Sequence, residues 1–155
     1  MRKLALLVSA AGVVVAVIAT VAFAGDTGTK SPNADSVTYV AGNPTCPSGT
    51  IQGPKIDPGA NGTFSINGST GVVVSNYDGK TFDWRLIDPA LHLYDMAAVI
   101  VKGGPNANIF WYDYAGGGLD DADTGLHAPV NPNNGKYYGI SHIQFCVDPK
   151  GGGNN

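Results

Sequence analysis

The stretch that most constrains how this chain can fold runs from Val72 to Leu86. Val72-Val73-Val74-Ser75 leads into Tyr77-Asp78-Gly79-Lys80, and Thr81-Phe82-Asp83-Trp84-Arg85-Leu86 leads out. Asp-Gly between two β-prone runs is a strong short-range hairpin signal, because both residues tolerate the positive φ that a type I′ turn demands. If Asp78-Gly79 is that two-residue turn, Tyr77 faces Lys80, Ser75 faces Phe82, Val74 faces Asp83 and Val73 faces Trp84. One face of the hairpin then carries Val73, Phe82, Trp84 and Leu86. The other carries Val74, Thr81, Asp83 and Arg85. A side-chain period of two makes the register costly to slip, since one step would expose Trp84.

Other runs carry the same message. Val37-Thr38-Tyr39-Val40 and Thr63-Phe64-Ser65-Ile66 are β-branched and aromatic. Ala97-Ala98-Val99-Ile100-Val101 is continuously apolar, as suits a strand buried on both faces. It turns at Gly103-Gly104-Pro105 and returns through Ile109-Phe110-Trp111-Tyr112, its expected antiparallel partner. Ile140-Ser141-His142-Ile143-Gln144-Phe145-Cys146 reads as a late strand, with His142 on the face of Cys146 and opposite Ile143, Phe145 and Val147. Pro54, Pro58 and Gly59 predict an irregular path between the first strands. Ala90–Met96 is too short to assign as strand or helical turn.

Composition closes off the helical alternatives. The chain has 22 Gly and 10 Pro, every acid is Asp, and Glu is absent. Helices lose their best formers and turns gain theirs. The fold expected is all-β, a single antiparallel β-sandwich or open barrel.

The first 24 residues read as an export leader and not as part of that fold. Arg2 and Lys3 form a basic start, Leu4 to Val21 is apolar and uncharged, and Ala22-Phe23-Ala24 is a small-residue cleavage signature. The apolar run is long enough to anchor the chain if uncleaved, which is the one membrane contact expected. The organisation expected is a signal peptide over 1–24, a flexible lead-in over 25–36, a sandwich domain over 37–148 and a flexible tail over 149–155. Removing Arg2 and Lys3 leaves seven basic against twelve acidic residues, a net charge of −5. Nucleic acid and anionic membrane surfaces are poor partners for such a chain.

Cys46 and Cys146 are the sole cysteines, and both follow the leader. In an oxidising compartment they read as one disulfide. The loop it would close, about 100 residues, is worth roughly 4–5 kcal/mol in the chain-entropy model.

No established catalytic motif is present, whether nucleophile elbow, zinc-protease helix, P-loop or dinucleotide fingerprint. An extracellular enzyme is thus the third-ranked reading. The acidic run Asp120, Asp121 and Asp123 before Gly125 resembles the opening of a calcium loop, but the closing bidentate Glu is missing. A solvated surface loop is the plainer reading, and calcium is the one cofactor the sequence raises. His92, His127 and His142 are scattered, which points to separate structural roles more than to a shared zinc or copper. Alternation sends Trp111 toward the core and leaves Tyr114 as a contact aromatic. The long Gly- and Pro-rich connection from Asp113 to Asn134, carrying the acids, Tyr114 and His127, is the expected binding region, pinned in part by Leu126 and Pro129. Asn61-Gly62-Thr63 and Asn67-Gly68-Ser69 match the glycosylation sequon but read better as turns.

The strings Ala98-Val99-Ile100-Val101-Lys102-Gly103-Gly104, Thr124-Gly125-Leu126-His127-Ala128-Pro129-Val130-Asn131 and Gly139-Ile140-Ser141-His142-Ile143-Gln144-Phe145-Cys146 resemble a recurrent module of exported bacterial proteins. The resemblance covers about the last third of the chain and brings no assigned activity. It implies an extracellular or cell-surface role. The function expected is a secreted or cell-surface binding or structural module for an extracellular protein or glycan; the alternative is a polysaccharide-binding domain, calcium-dependent in one version.

Overall fold

The computed structural model describes residues 31–68, 70–87, 93–112 and 121–149. Eleven strands are described: β1 Ser36–Ala41, β2 Ile51–Ile56, β3 Gly62–Asn67, β4 Thr70–Ser75, β5 Thr81–Ile87, β6 Tyr94–Gly103, β7 Asn106–Trp111, β8 Ala122–His127, β9 Val130–Asn131, β10 Lys136–Tyr137 and β11 Ile140–Pro149. They form a five-stranded sheet in the order β1-β7-β6-β11-β2, a four-stranded sheet in the order β3-β4-β5-β8, and the small β9–β10 pair. Every pairing is antiparallel. The two main sheets pack face to face as a β-sandwich. No helix among the described residues is long and apolar enough to cross a membrane.

The core between the sheets follows from alternation. Val99, Val101, Phe110, Ile143, Phe145 and Val147 point inward from the larger sheet, and Val72, Val74, Phe82, Trp84, Leu86 and Leu126 from the smaller. Trp84 sits edge-on to Tyr112 and Phe145, with centroids at 5.4 and 6.0 Å. Ala98, Val99, Ile100 and Val101 are all fully buried, so β6 is covered on both faces as its continuous apolar run requires.

The Val72–Leu86 hairpin forms with a different register from the one expected. Val72 pairs with Leu86, Val73 with Arg85, Val74 with Trp84 and Ser75 with Asp83, one residue displaced. Phe82, Trp84 and Leu86 do face the core and Arg85 faces out, but on β4 it is Val72 and Val74 that are buried, while Val73 is half-buried. The cause is the turn. Five residues, 76–80, connect the strands, with Asn76 at φ 53° and Gly79 at φ 88°. The Asp78 side chain accepts the Lys80 and Thr81 N–H groups, both at 2.7 Å, closing an Asx-type turn in place of the two-residue one. Those bonds, Thr81's first, hold the Asp78 carboxyl below its usual range. Asn61 clasps the same loop by accepting the Tyr77 N–H at 2.8 Å, so this sequon asparagine serves as a turn residue.

Two further expectations change. The segment around Pro54 is strand β2, an edge strand whose register on β11 shifts between Gln144 and Cys146, and the irregularity accommodates a residue with no N–H. Residues 31–36 pack on the sandwich: Ser31 and Ala34 are buried, and the Asp35 N–H donates to the Trp111 carbonyl at 2.9 Å.

The sheet order imposes a crossover. β1 and β2 lie on opposite edges of one sheet, four strand spacings or about 19 Å apart. The nine residues 42–50 between them reach at most about 30 Å when extended, so they must run straight across a face. They take the outer one. Cys46 packs on a second apolar cluster made by Ala98, Ile100, Ala107, Ile109 and Cys146. The Cys46–Cys146 disulfide (S–S 2.03 Å) fastens this strap to β11.

Replacing Trp84 with Ala is expected to cost about 3–5 kcal/mol in urea denaturation. Replacing its neighbour Arg85 with Ala is expected to cost no more than about 0.5 kcal/mol. Comparable losses from both would mean that the faces of β5 are misassigned.

Candidate functional site

The expected binding region, 113–134, is described from residue 121 onward. Its described part, 121–134, holds strands β8 and β9 and the turn that leads to β10, with Leu126 and Pro129 buried as anticipated. Asp123 pairs with the inward-facing Trp84 across β5 and β8, so its carboxylate sinks into the core at 1 % exposure. One oxygen accepts the Tyr112 hydroxyl at 2.9 Å; the other accepts the N–H groups of Asn33 at 3.2 Å and Thr124 at 2.7 Å. The Tyr112 hydroxyl in turn accepts the Trp84 indole N–H at 3.2 Å. Burial first, and then the Asp123 charge, push the Tyr112 hydroxyl far above the ordinary tyrosine range. Asp121 contributes a main-chain carbonyl to Leu86 N–H at 2.6 Å. Asp120 and Tyr114 lie outside the described residues, as does His92. Among the described residues no group of three His, Cys, Asp or Glu converges on a metal position.

His127, expected as a contact residue, is a core residue. It is 1 % exposed, stacked on Tyr137 at 3.8 Å and set edge-on to Phe110 at 5.7 Å. Its Nδ1 lies 2.9 Å from the Ala128 carbonyl. The physical reason is that β8 carries it in between Phe110 of the opposite sheet and the small β9–β10 pair. His142 does lie on the Cys146 face, half-buried, so His127 and His142 share no site.

Accessible polar chemistry gathers instead beside the strap. On one side is a groove of about 440 Å³ between strap residues Asn43–Cys46 and the outer face of β2 and β11, lined by Lys55, Asp57, His142 and Gln144. Burial first, then the Lys55 charge, lower the His142 pKa from its usual value. Lys55 and Asp57 form a loose, exposed pair at 3.9 Å. On the other side, Pro47 and Thr50 of the strap wall a cleft of about 420 Å³ with Asp35, Trp111 and Asp148. Trp111 thus lies half-buried on the outer face, not in the core as alternation suggested; Tyr112 takes the core position. The indole N–H of Trp111 donates to Thr38 Oγ1 at 3.0 Å, which orients the ring. Burial first, and the charge of its cross-strand partner Asp95 second, raise the Asp148 carboxyl.

Lys55 and Gln144 were not anticipated. Gln144 was within reach: the alternation that put His142 beside Cys146 puts Gln144 between them. Lys55 was hidden because Pro54 disguised its strand. Compared with protein-family models, curated proteins and solved structures, the chain matches none.

The Tyr112 environment gives a pH signature. The native state keeps a proton that the unfolded state releases near pH 10, so this contribution to stability is complete below about pH 10 and falls as pH rises beyond it. Spectrophotometric titration of the native protein should show at most six of its seven tyrosines ionising before unfolding. In Tyr112→Phe the alkaline loss should be shallower; an unchanged slope would assign it to another group.

Proposed function

We propose that the chain is an exported binding module, secreted or held at the cell surface, whose ligand face is the outer side of the five-stranded sheet. The observation that carries the reading is the strap: a covalently fastened segment that walls an accessible cleft on each side. A rigid wall lowers the ordering cost of binding, as preorganised sites do. The export leader and the single disulfide support an oxidising destination. The ligand is a glycan or protein outside the cell, and the chain's net negative charge argues against nucleic acid.

A polysaccharide-binding role is favoured by one further observation, the oriented Trp111 indole flanked by Asp35 and Asp148 in the second cleft. Aromatic area with hydrogen-bond acceptors at its rim suits a sugar ring. Calcium draws no support from Asp123, whose oxygens already serve internal donors.

The test uses the mature, oxidised protein, residues 25–155, fluorescently labelled and offered insoluble cellulose, chitin, xylan, peptidoglycan sacculi and immobilised extracellular-matrix proteins. Saturable retention on at least one surface is expected, weakened about tenfold or more in Cys46→Ser/Cys146→Ser, a change of at least about 1.4 kcal/mol. Absence of retention on every surface would sink the reading. Retention that the double variant leaves intact, with its fold confirmed by circular dichroism, would move the site away from the strap.

A further inference from the structure

The groove between the strap and β2–β11 holds hydrogen-bonding capacity that the fold leaves unspent. Gln144 is 8 % exposed, and its Nε2 donates to the carbonyls of Gly53 and Phe145, each at 2.9 Å. Those bonds use both amide hydrogens, and turning the carboxamide over would set its oxygen against two carbonyl oxygens. The side chain is therefore locked, and Oε1 is directed away from those carbonyls. Oε1 finds no donor among the described residues, yet it is not a buried unsatisfied atom; it opens on the groove that Gln144 lines. Two positions earlier on the same face, the His142 ring makes no hydrogen bond to the described residues. Lys55 and Asp57 stand at the rim, 51 % and 60 % exposed, too far apart and too well solvated to satisfy one another.

The kind of ligand follows from what these groups require. Gln144 Oε1 and Asp57 need donors, Lys55 needs an acceptor, and a neutral imidazole offers one of each. Burial first, and then the Lys55 charge, lower the His142 pKa and so favour that neutral form. With Lys55 and Asp57 cancelling, the lining has no net charge. An anion would meet Asp57 and the fixed Oε1, and a cation would meet Lys55. A hydroxyl group both donates and accepts, so a row of them satisfies every lining group at once. Pro44 and Cys46 supply apolar wall for C–H faces, and about 440 Å³ lies within the range of small-ligand sites. We infer that this groove, built on Gln144, His142, Lys55 and Asp57, binds a short stretch of a neutral saccharide. The inference rests on the binding-module reading and gives one of its two clefts a ligand class.

The experiment titrates the mature, oxidised protein with soluble hexasaccharides of β-1,4-linked glucose, xylose and N-acetylglucosamine by calorimetry and by amide-shift NMR. Hexagalacturonate and hexaglucosamine serve as anionic and cationic controls. At least one neutral hexamer should bind, with shifts centred on Lys55, His142 and Gln144. Lys55→Ala and His142→Ala, both on the outer face, should each weaken binding about tenfold with Tm preserved, and Arg85→Ala, exposed on the other sheet, should change it by less than about twofold. Gln144→Leu should abolish binding; because it also removes two backbone anchors, Lys55→Ala and His142→Ala are the deciding variants. The inference is overturned if no neutral hexamer binds at about 10 mM, if a charged control binds more tightly, or if Lys55→Ala and His142→Ala leave affinity unchanged. Retention on an insoluble surface without any neutral-hexamer binding would overturn the groove alone; absence of both would remove the module reading with it.

Discussion

One covalent constraint organises the outer face of the larger sheet, the bond that ties Cys46 to Cys146. The strand order leaves the connection from β1 to β2 no route around the sheet, because nine residues cannot detour and still join opposite edges. An extended segment of that length, rich in Pro and Gly, has little cohesion of its own. Below it lie Ala98, Ile100, Ala107 and Ile109, an apolar face that a two-layer sandwich would otherwise turn to water. The disulfide resolves both problems. It holds the strap where its atoms cover apolar surface, and it closes a separation of 100 residues, the regime in which a cross-link restricts the unfolded chain most. The clefts follow as a geometric consequence, since a narrow ridge laid over a broad sheet leaves a trough on each flank.

On the opposite side of the sheet a polar chain does the joining. Asp123 of β8, Tyr112 just past β7, Trp84 of β5 and the Asn33 main chain ahead of β1 are linked by bonds of 2.9 to 3.2 Å. A buried carboxylate is costly unless its lone pairs are met, and a lost partner would leave it uncompensated. Three donors meet them here, the Tyr112 hydroxyl and the main-chain N–H groups of Asn33 and Thr124. The same bond brings together the two ends of the connection between β7 and β8. This explains why an acid-rich segment that looks like the start of a cation loop contributes a side chain to the interior instead.

Much of the architecture was legible because apolar period and turn chemistry agreed with it. The buried β6, its partner β7 and the two faces of β11 were all readable from residues such as Val99, Phe110 and Phe145. What failed did so locally. Asp78-Gly79 has the composition of a two-residue turn, but the Asp78 side chain competes for the Lys80 and Thr81 N–H groups and lengthens the loop. One added step inverted the faces of β4 while leaving those of β5 intact. Pro54 concealed β2, since a proline argues against a strand unless it falls at an edge or bulge, and β2 is both an edge strand and irregular. The candidate site was least legible. Phe110, Trp111 and Tyr112 are successive aromatics, and local pattern cannot say which faces a core on one side and a covered outer cluster on the other. The groove needed the strap's path, which is a property of strand order and not of any short stretch.

Strand β11 shows why core and candidate site can share one element. Ile143, Phe145 and Val147 enter the inter-sheet core, while His142, Gln144 and Cys146 face the strap. The pleat separates the two sets, so outer-face chemistry can vary without leaving a cavity inside. Gln144 is the exception that ties them together. Its amide bonds reach Gly53 on the irregular part of β2 and the carbonyl of Phe145, a residue whose side chain is core. The register shift falls beside Gly53 and Pro54, and there the Gly53 carbonyl accepts the Gln144 amide at 2.9 Å. The group that ties β2 to β11 beside the register shift is thereby the same group that lines the groove.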